Sequence, residues 1–175
     1  MRVGGLPPSY AFSALAYSAV ARIVIATVQT VEAAGPRSLL LWRRITEKNY
    51  REISSPAGLK VSRRDVVLAA ELPLAYFCEY KPEAGGWNWR ALMKIDLETM
   101  KVSQVLDEAA LAEGRGRRWL AGLIGSDSQG TRLFCIVGRE ESNGVGGVNA
   151  VYELCRLSTR SAEMEVLTPL EWVYL

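Results

Sequence analysis

The chain has 175 residues, 49% of them hydrophobic, with 21 Lys+Arg against 19 Asp+Glu and a formal net charge of +2. That length suits one domain over 1-175 with a proper core, and the charge is too small to imply nucleic-acid binding by itself. Histidine is absent, which removes Ser-His-Asp and Cys-His triads, histidine-ligated zinc and the commonest proton carrier near neutrality.

In chain order, Met1 to Pro8 lacks the charged start, apolar core and small-residue cleavage site of a secretory signal. Residues 11-30 are apolar apart from Arg22, Gln29 and several hydroxyls, and about 20 such residues would span a bilayer if helical. A central arginine costs roughly 2.5 to 3.5 kcal/mol there, so ordinary buried structure is expected instead of a membrane span. The segment reads as the opening of a first four-stranded unit, approximately 9-55. Its strands would be Tyr10 to Ser18, Ile23 to Val28, Leu39 to Ile45 and Tyr50 to Ile53. No good turn chemistry precedes Arg22, which leaves room for a helix in the first of them.

A second unit, 63-107, follows the same template more clearly. Asp65 to Ala70 and Leu74 to Tyr80 are strands, Pro82-Glu-Ala-Gly-Gly-Trp a loop, Leu92 to Leu97 a third strand, Glu98-Thr-Met a turn and Val102 to Leu106 a fourth strand. Asp107 to Gly114, with an acidic start and a glycine stop, suits a short helical turn. A third unit, 117-168, repeats the pattern with Trp119 to Ile124, Arg132 to Val137, a Gly-rich loop near Asn143, Val151 to Leu157 and Met164 to Leu167. Phe77-Cys78 matches Phe134-Cys135, and Arg63-Arg64 matches Arg117-Arg118, at a spacing in the range of propeller blades. Short β-rich runs between turn signals read as all-β, antiparallel structure.

The run Ile95-Asp-Leu-Glu-Thr-Met-Lys-Val-Ser-Gln-Val-Leu and the turn Ser126-Asp-Ser-Gln-Gly-Thr-Arg-Leu resemble the blades of β-propellers, of the TolB-like and WD40-like kinds, although the Trp-Asp signature of the latter is absent. The resemblance implies an all-β fold of three four-stranded antiparallel blades. Three blades leave open edges, so closure as a six-bladed ring in a homodimer, or against another protein subunit, is expected. The blade topology would gather one rim carrying Arg37, Trp87, Asn88, Trp89, Arg90, Arg115, Arg117, Arg118 and Asn143. Arginine forks suit carboxylates and phosphates, and tryptophan stacks on flat ligands, so an anionic or nucleic-acid-like partner fits that rim. Solvated turns and blade packing account for the same residues without any ligand.

Cys78, Cys135 and Cys155 lie in apolar runs without metal-ligand or redox spacing, which favours packing roles in a reduced cytoplasmic setting. The excess of Arg over Lys and of Glu over Asp suits a heat-loving source and equally a GC-rich genome. Neither a phosphate-binding loop nor a dinucleotide fingerprint occurs, and no cofactor or metal is expected. The expectation is therefore a non-catalytic interaction or assembly module and no enzyme. The alternatives are a structural subunit of a viral or multiprotein assembly and a carbohydrate-active enzyme using carboxylates from Asp65, Glu79, Asp96, Asp127, Glu140 or Glu141.

Overall fold

A computed structural model describes residues 10-32, 35-53, 60-83, 86-112, 117-142, 144 and 147-170. They form twelve strands and one short helix. Sheet one contains β1 (Tyr10–Ser18), β2 (Ile23–Glu32), β3 (Gly35–Arg44) and β4 (Arg51–Glu52). Sheet two contains β5 (Lys60–Leu68), β6 (Leu74–Glu83), β7 (Gly86–Asp96) and β8 (Val102–Asp107), followed by α1 (Glu108–Ala112). Sheet three contains β9 (Arg118–Ser126), β10 (Arg132–Ser142), β11 (Val148–Ser158) and β12 (Met164–Leu170). Each sheet is antiparallel, and its strands lie side by side in chain order.

The segment left open to a helix is a hairpin. Ser18 Oγ accepts the Ala21 N–H at 3.2 Å, Arg22 takes a left-handed φ of 54° and the Arg22 carbonyl accepts the Ile45 N–H at 2.9 Å. A hydroxyl turn thus replaces the glycine or asparagine that the sequence lacks there. No helix of the described residues is long and apolar enough to cross a membrane.

The later turns use the same device. Asp96 Oδ1 accepts the N–H groups of Glu98 and Thr99 at 3.0 and 2.9 Å, and Ser158 Oγ accepts that of Ser161 at 3.2 Å. Asp107 Oδ1 accepts the Ala110 N–H at 2.9 Å and so caps α1. In the turn between β9 and β10, Asp127 Oδ1 takes the N–H of Thr131 at 2.7 Å, and Gly130 adopts φ 63°. The Tyr76 hydroxyl donates to the Gly130 carbonyl at 2.6 Å, tying the turn of the third sheet to the second.

The three sheets stack in chain order. Strand β5 touches both β1 and β9, so the first strands of the sheets lie next to one another. Ile23, Ile25 and Leu40 of sheet one meet Phe77, Met93 and Ile95 of sheet two. On its other face sheet two presents Tyr76, Cys78 and Leu92 to Leu133, Cys135 and Leu157 of sheet three. Apolar residues on both faces of the middle sheet explain why its strands read as nearly continuous hydrophobic runs.

Hydrogen-bond register corrects one repeat match. Leu74 lies opposite Asp96 and Arg132 opposite Ser158, so Phe77 is equivalent to Cys135 and Cys78 to Ile136. The Phe-Cys likeness is therefore one residue out of register, and one residue exchanges the two faces of a strand. Cys78 and Cys135 do not occupy repeated positions; they belong to one core between sheets two and three.

Candidate functional site

A cavity of about 400 Å³ is formed by residues of the second and third sheets. Tyr80, Asn88 and Trp89 come from β6 and β7, Glu108 from α1, and the remaining wall from β9, β10, β11 and Arg117 just before β9. The expected rim residues Asn88, Trp89, Arg117 and Arg118 are brought together here. Arg90 is half-buried on β7 but is not part of this wall, and the backbones of Arg37 and Trp87 lie on β3 and β7 opposite Thr30 and Pro82. Arg115 and Asn143 lie outside the described residues.

Sequence reasoning missed Trp119, Tyr152 and Glu153. Trp119 meets Tyr152 edge to face, with ring centroids 6.2 Å apart and planes at 87°. It lies against Gly138, where a Cβ would stand 2.3 Å from the indole. An isolated glycine within an otherwise apolar strand was the available signal, since such a position admits close approach.

Arginines at the site are paired. Glu153 sits between Arg118, whose Nη2 is 3.5 Å from Oε2, and Arg139, whose Nε donates to Oε1 at 3.1 Å. The side chains of Arg118 and Glu153 are each only 11% exposed. Arg139 Nη1 also donates to Glu141 at 3.0 Å, and Arg117 Nη1 lies 3.5 Å from Glu140 Oε1. These contacts hold the Arg139 guanidinium above its ordinary pKa, through the Glu141 hydrogen bond first and that of Glu153 second. The rim is thus an alternation of charges. Two buried donors beside it, Trp89 Nε1 and Arg118 Nε, have no hydrogen-bond partner among the described residues.

The acids weighed for chemistry are largely occupied. Asp96 and Asp127 hold turns. The Thr99 backbone N–H chiefly lowers the Asp96 pKa; at Asp127 desolvation pushes up, and hydrogen bonds from Thr131 and Arg132 pull the net value down. The thiols are reduced and buried, and desolvation raises Cys135 to about 12 and Cys155 to about 11. Among the described residues no group of acids and cysteines is placed to hold a metal ion.

No protein-family model and no curated protein matches the chain. Among solved structures it is similar to the acylaminoacyl peptidase of Pyrococcus horikoshii, with a TM-score of 0.60 and 9% identity over 92% of this chain and 25% of that one. It is also similar to a variant of the AtxE2 isopeptidase with Astexin3 bound, with a TM-score of 0.56 and 17% identity over 96% of this chain and 21% of that one. The chain thus spans about a quarter of the length of each, and the shared property is the fold. The expectation of a non-catalytic interaction or assembly module, and of no enzyme, is corrected by this comparison, because these two structures of similar fold are those of hydrolytic enzymes.

Proposed function

We propose that the chain supplies consecutive blades of a β-propeller in a peptide-bond hydrolase, and that the cavity between its second and third sheets holds part of the peptide substrate. The observation that carries this reading is the alignment of nearly the whole chain with two peptide-hydrolysing enzymes, the first of them propeller-containing. The adjacency of β1, β5 and β9 supports the propeller half of it, because blades fan outward from neighbouring first strands. The unpaired donors Trp89 Nε1 and Arg118 Nε support the substrate half, since buried donors without partners favour a site that receives an acceptor. The anionic partner expected of the rim is then a peptide carboxylate, met first by the half-exposed Arg117.

With no histidine in its 175 residues, the chain cannot furnish the base of a Ser-His pair. Its own share of the reaction is to bind and orient the peptide and to exclude water. Titrating the full chain with short N-acetylated peptides while following tryptophan emission, alongside a fluorogenic peptidase assay, tests the reading. Saturable binding that weakens about tenfold in Arg117→Ala is expected, the size of one charge-assisted hydrogen bond. Absence of both binding and hydrolysis across a panel of acidic and neutral peptides would overturn it.

A further inference from the structure

The charged side chains that wall the cavity between the second and third sheets are already matched. Arg117 Nη1 lies 3.5 Å from Glu140 Oε1, Lys81 Nζ donates to Glu108 Oε2 at 2.7 Å, and Arg118 Nη2 lies 3.5 Å from Glu153 Oε2. A carboxylate or ammonium brought inside would add an uncompensated charge to a part-buried site, which is costly. The group that enters is therefore neutral, and any charge of the peptide stays at the rim beside the half-exposed Arg117.

Among those pairs stand the rings of Tyr80, Trp89, Trp119 and Tyr152. Trp119 is opposite Gly138 in the β9–β10 ladder, and a Cβ at that position would stand 2.3 Å from the indole. The glycine thus lets the ring lie on β10, where Tyr152 braces it edge to face. An aromatic guest among such rings gains packing beyond its buried area. The cavity of about 400 Å³ is near the lower end of the roughly 300 to 1,000 Å³ of ligand pockets, so it suits one large side chain.

Hydrogen bonding narrows the choice of ring. Trp89 Nε1, Arg118 Nε and, on the carboxylate paired with Arg118, Glu153 Oε2 are buried without a hydrogen-bond partner among the described residues. Two of these atoms donate and one accepts. A carbonyl answers donors alone, and a phenylalanine or leucine side chain answers neither kind; a phenol supplies two lone pairs and one proton on a ring. Trp89 is itself only 3% exposed, so its N–H gains little from bulk water. On the premise of the peptide-binding function above, we propose that the cavity takes a tyrosine side chain of the substrate. The ring lies among the four aromatic residues, and its hydroxyl meets the unmatched polar atoms. Trp89 Nε1 is then the specificity-determining donor, because it tells tyrosine from phenylalanine.

Calorimetric titration of the full chain with short N-acetylated peptides that differ at one position, tyrosine, phenylalanine, leucine or glutamate, tests the inference. Tyrosine is expected to bind about tenfold more tightly than phenylalanine, the size of one or two neutral hydrogen bonds. Leucine should bind about threefold more weakly than phenylalanine for want of ring packing, and glutamate most weakly of all. Trp89→Phe keeps a ring and removes its N–H; with an unchanged circular dichroism spectrum it should narrow the gap between tyrosine and phenylalanine and leave the affinity for phenylalanine as it was. Equal affinity for tyrosine and phenylalanine in the parent chain, glutamate bound as tightly as tyrosine, or a tyrosine preference unchanged in folded Trp89→Phe overturns the inference and leaves peptide binding standing. Absence of binding by every peptide overturns the proposed function and this inference together. Should the variant not fold, the parent series alone decides.

Discussion

Replacing Tyr76 by phenylalanine removes one atom from the junction between the second and third sheets. Its hydroxyl donates at 2.6 Å to the Gly130 carbonyl, and the ring is 1% exposed. That carbonyl keeps a second donor, Thr159 Oγ1 at 2.9 Å. The substitution therefore leaves no buried acceptor bare, and its cost is that of one net hydrogen bond, about 1 kcal/mol. For a domain of this size that corresponds to a fall in Tm of about 2 to 4 °C. The dependence on pH provides a stricter test. Burial chiefly, opposed by the Thr159 hydrogen bond and aided by the Asp127 charge, raises the Tyr76 pKa in the folded chain. Unfolded tyrosine ionises near pH 10, so above that pH the folded state binds more protons and stability falls as pH rises. The phenol's contribution is complete below about pH 10 and is lost as pH climbs through the raised folded value. Urea titrations of both proteins should show a gap of about 1 kcal/mol at pH 7 that narrows above pH 10. The buried thiols titrate alike in the two and cancel. Equal stability at pH 7, or a gap unchanged through pH 11, would refute the reasoning.

Gly138→Ala places a methyl where the Trp119 indole lies, 2.3 Å away. It should cost about 1 to 3 kcal/mol and shift tryptophan emission as the ring is pushed off β10. Glu153→Ala strands the largely buried Arg118, while Arg139 keeps Glu141, and should destabilise by about 3 kcal/mol, as loss of one member of a largely buried charge pair does; chemical denaturation measures it. Cys78, Cys135 and Cys155 should resist a disulfide reagent at pH 8 in the native chain and all react in denaturant, because each is buried and the latter two have raised pKa values.

The strands and turns were legible because they depend on neighbours in the chain. Alternation, the Asp-Gly turn after Ser126 and the acidic cap of α1 all act within a few residues. Face assignment was harder. Phe77-Cys78 and Phe134-Cys135 look alike as letters, and only pairing across the hairpins reveals the one-residue slip. Charge at the rim was misjudged in the same way: Arg118 is neutralised by Glu153, 35 positions later, a distance over which spacing carries no signal. The hairpin at Ser18 to Ile23 was uncertain because its turn relies on a hydroxyl and a strained arginine instead of glycine.

Each strand pairs only with strands adjacent in the chain, and this has a kinetic consequence. Closing a hairpin costs little loop entropy, so the three sheets can form locally and early. What remains is docking across two interfaces, which makes stability approach a sum of unit and neighbour terms, as in repeat proteins. The terms are unequal in effect. Damage to sheet one or three removes one interface, whereas damage to sheet two removes both. Hydrogen exchange should then find its slowest amides in β6 and β7, where opening requires the whole stack to come apart.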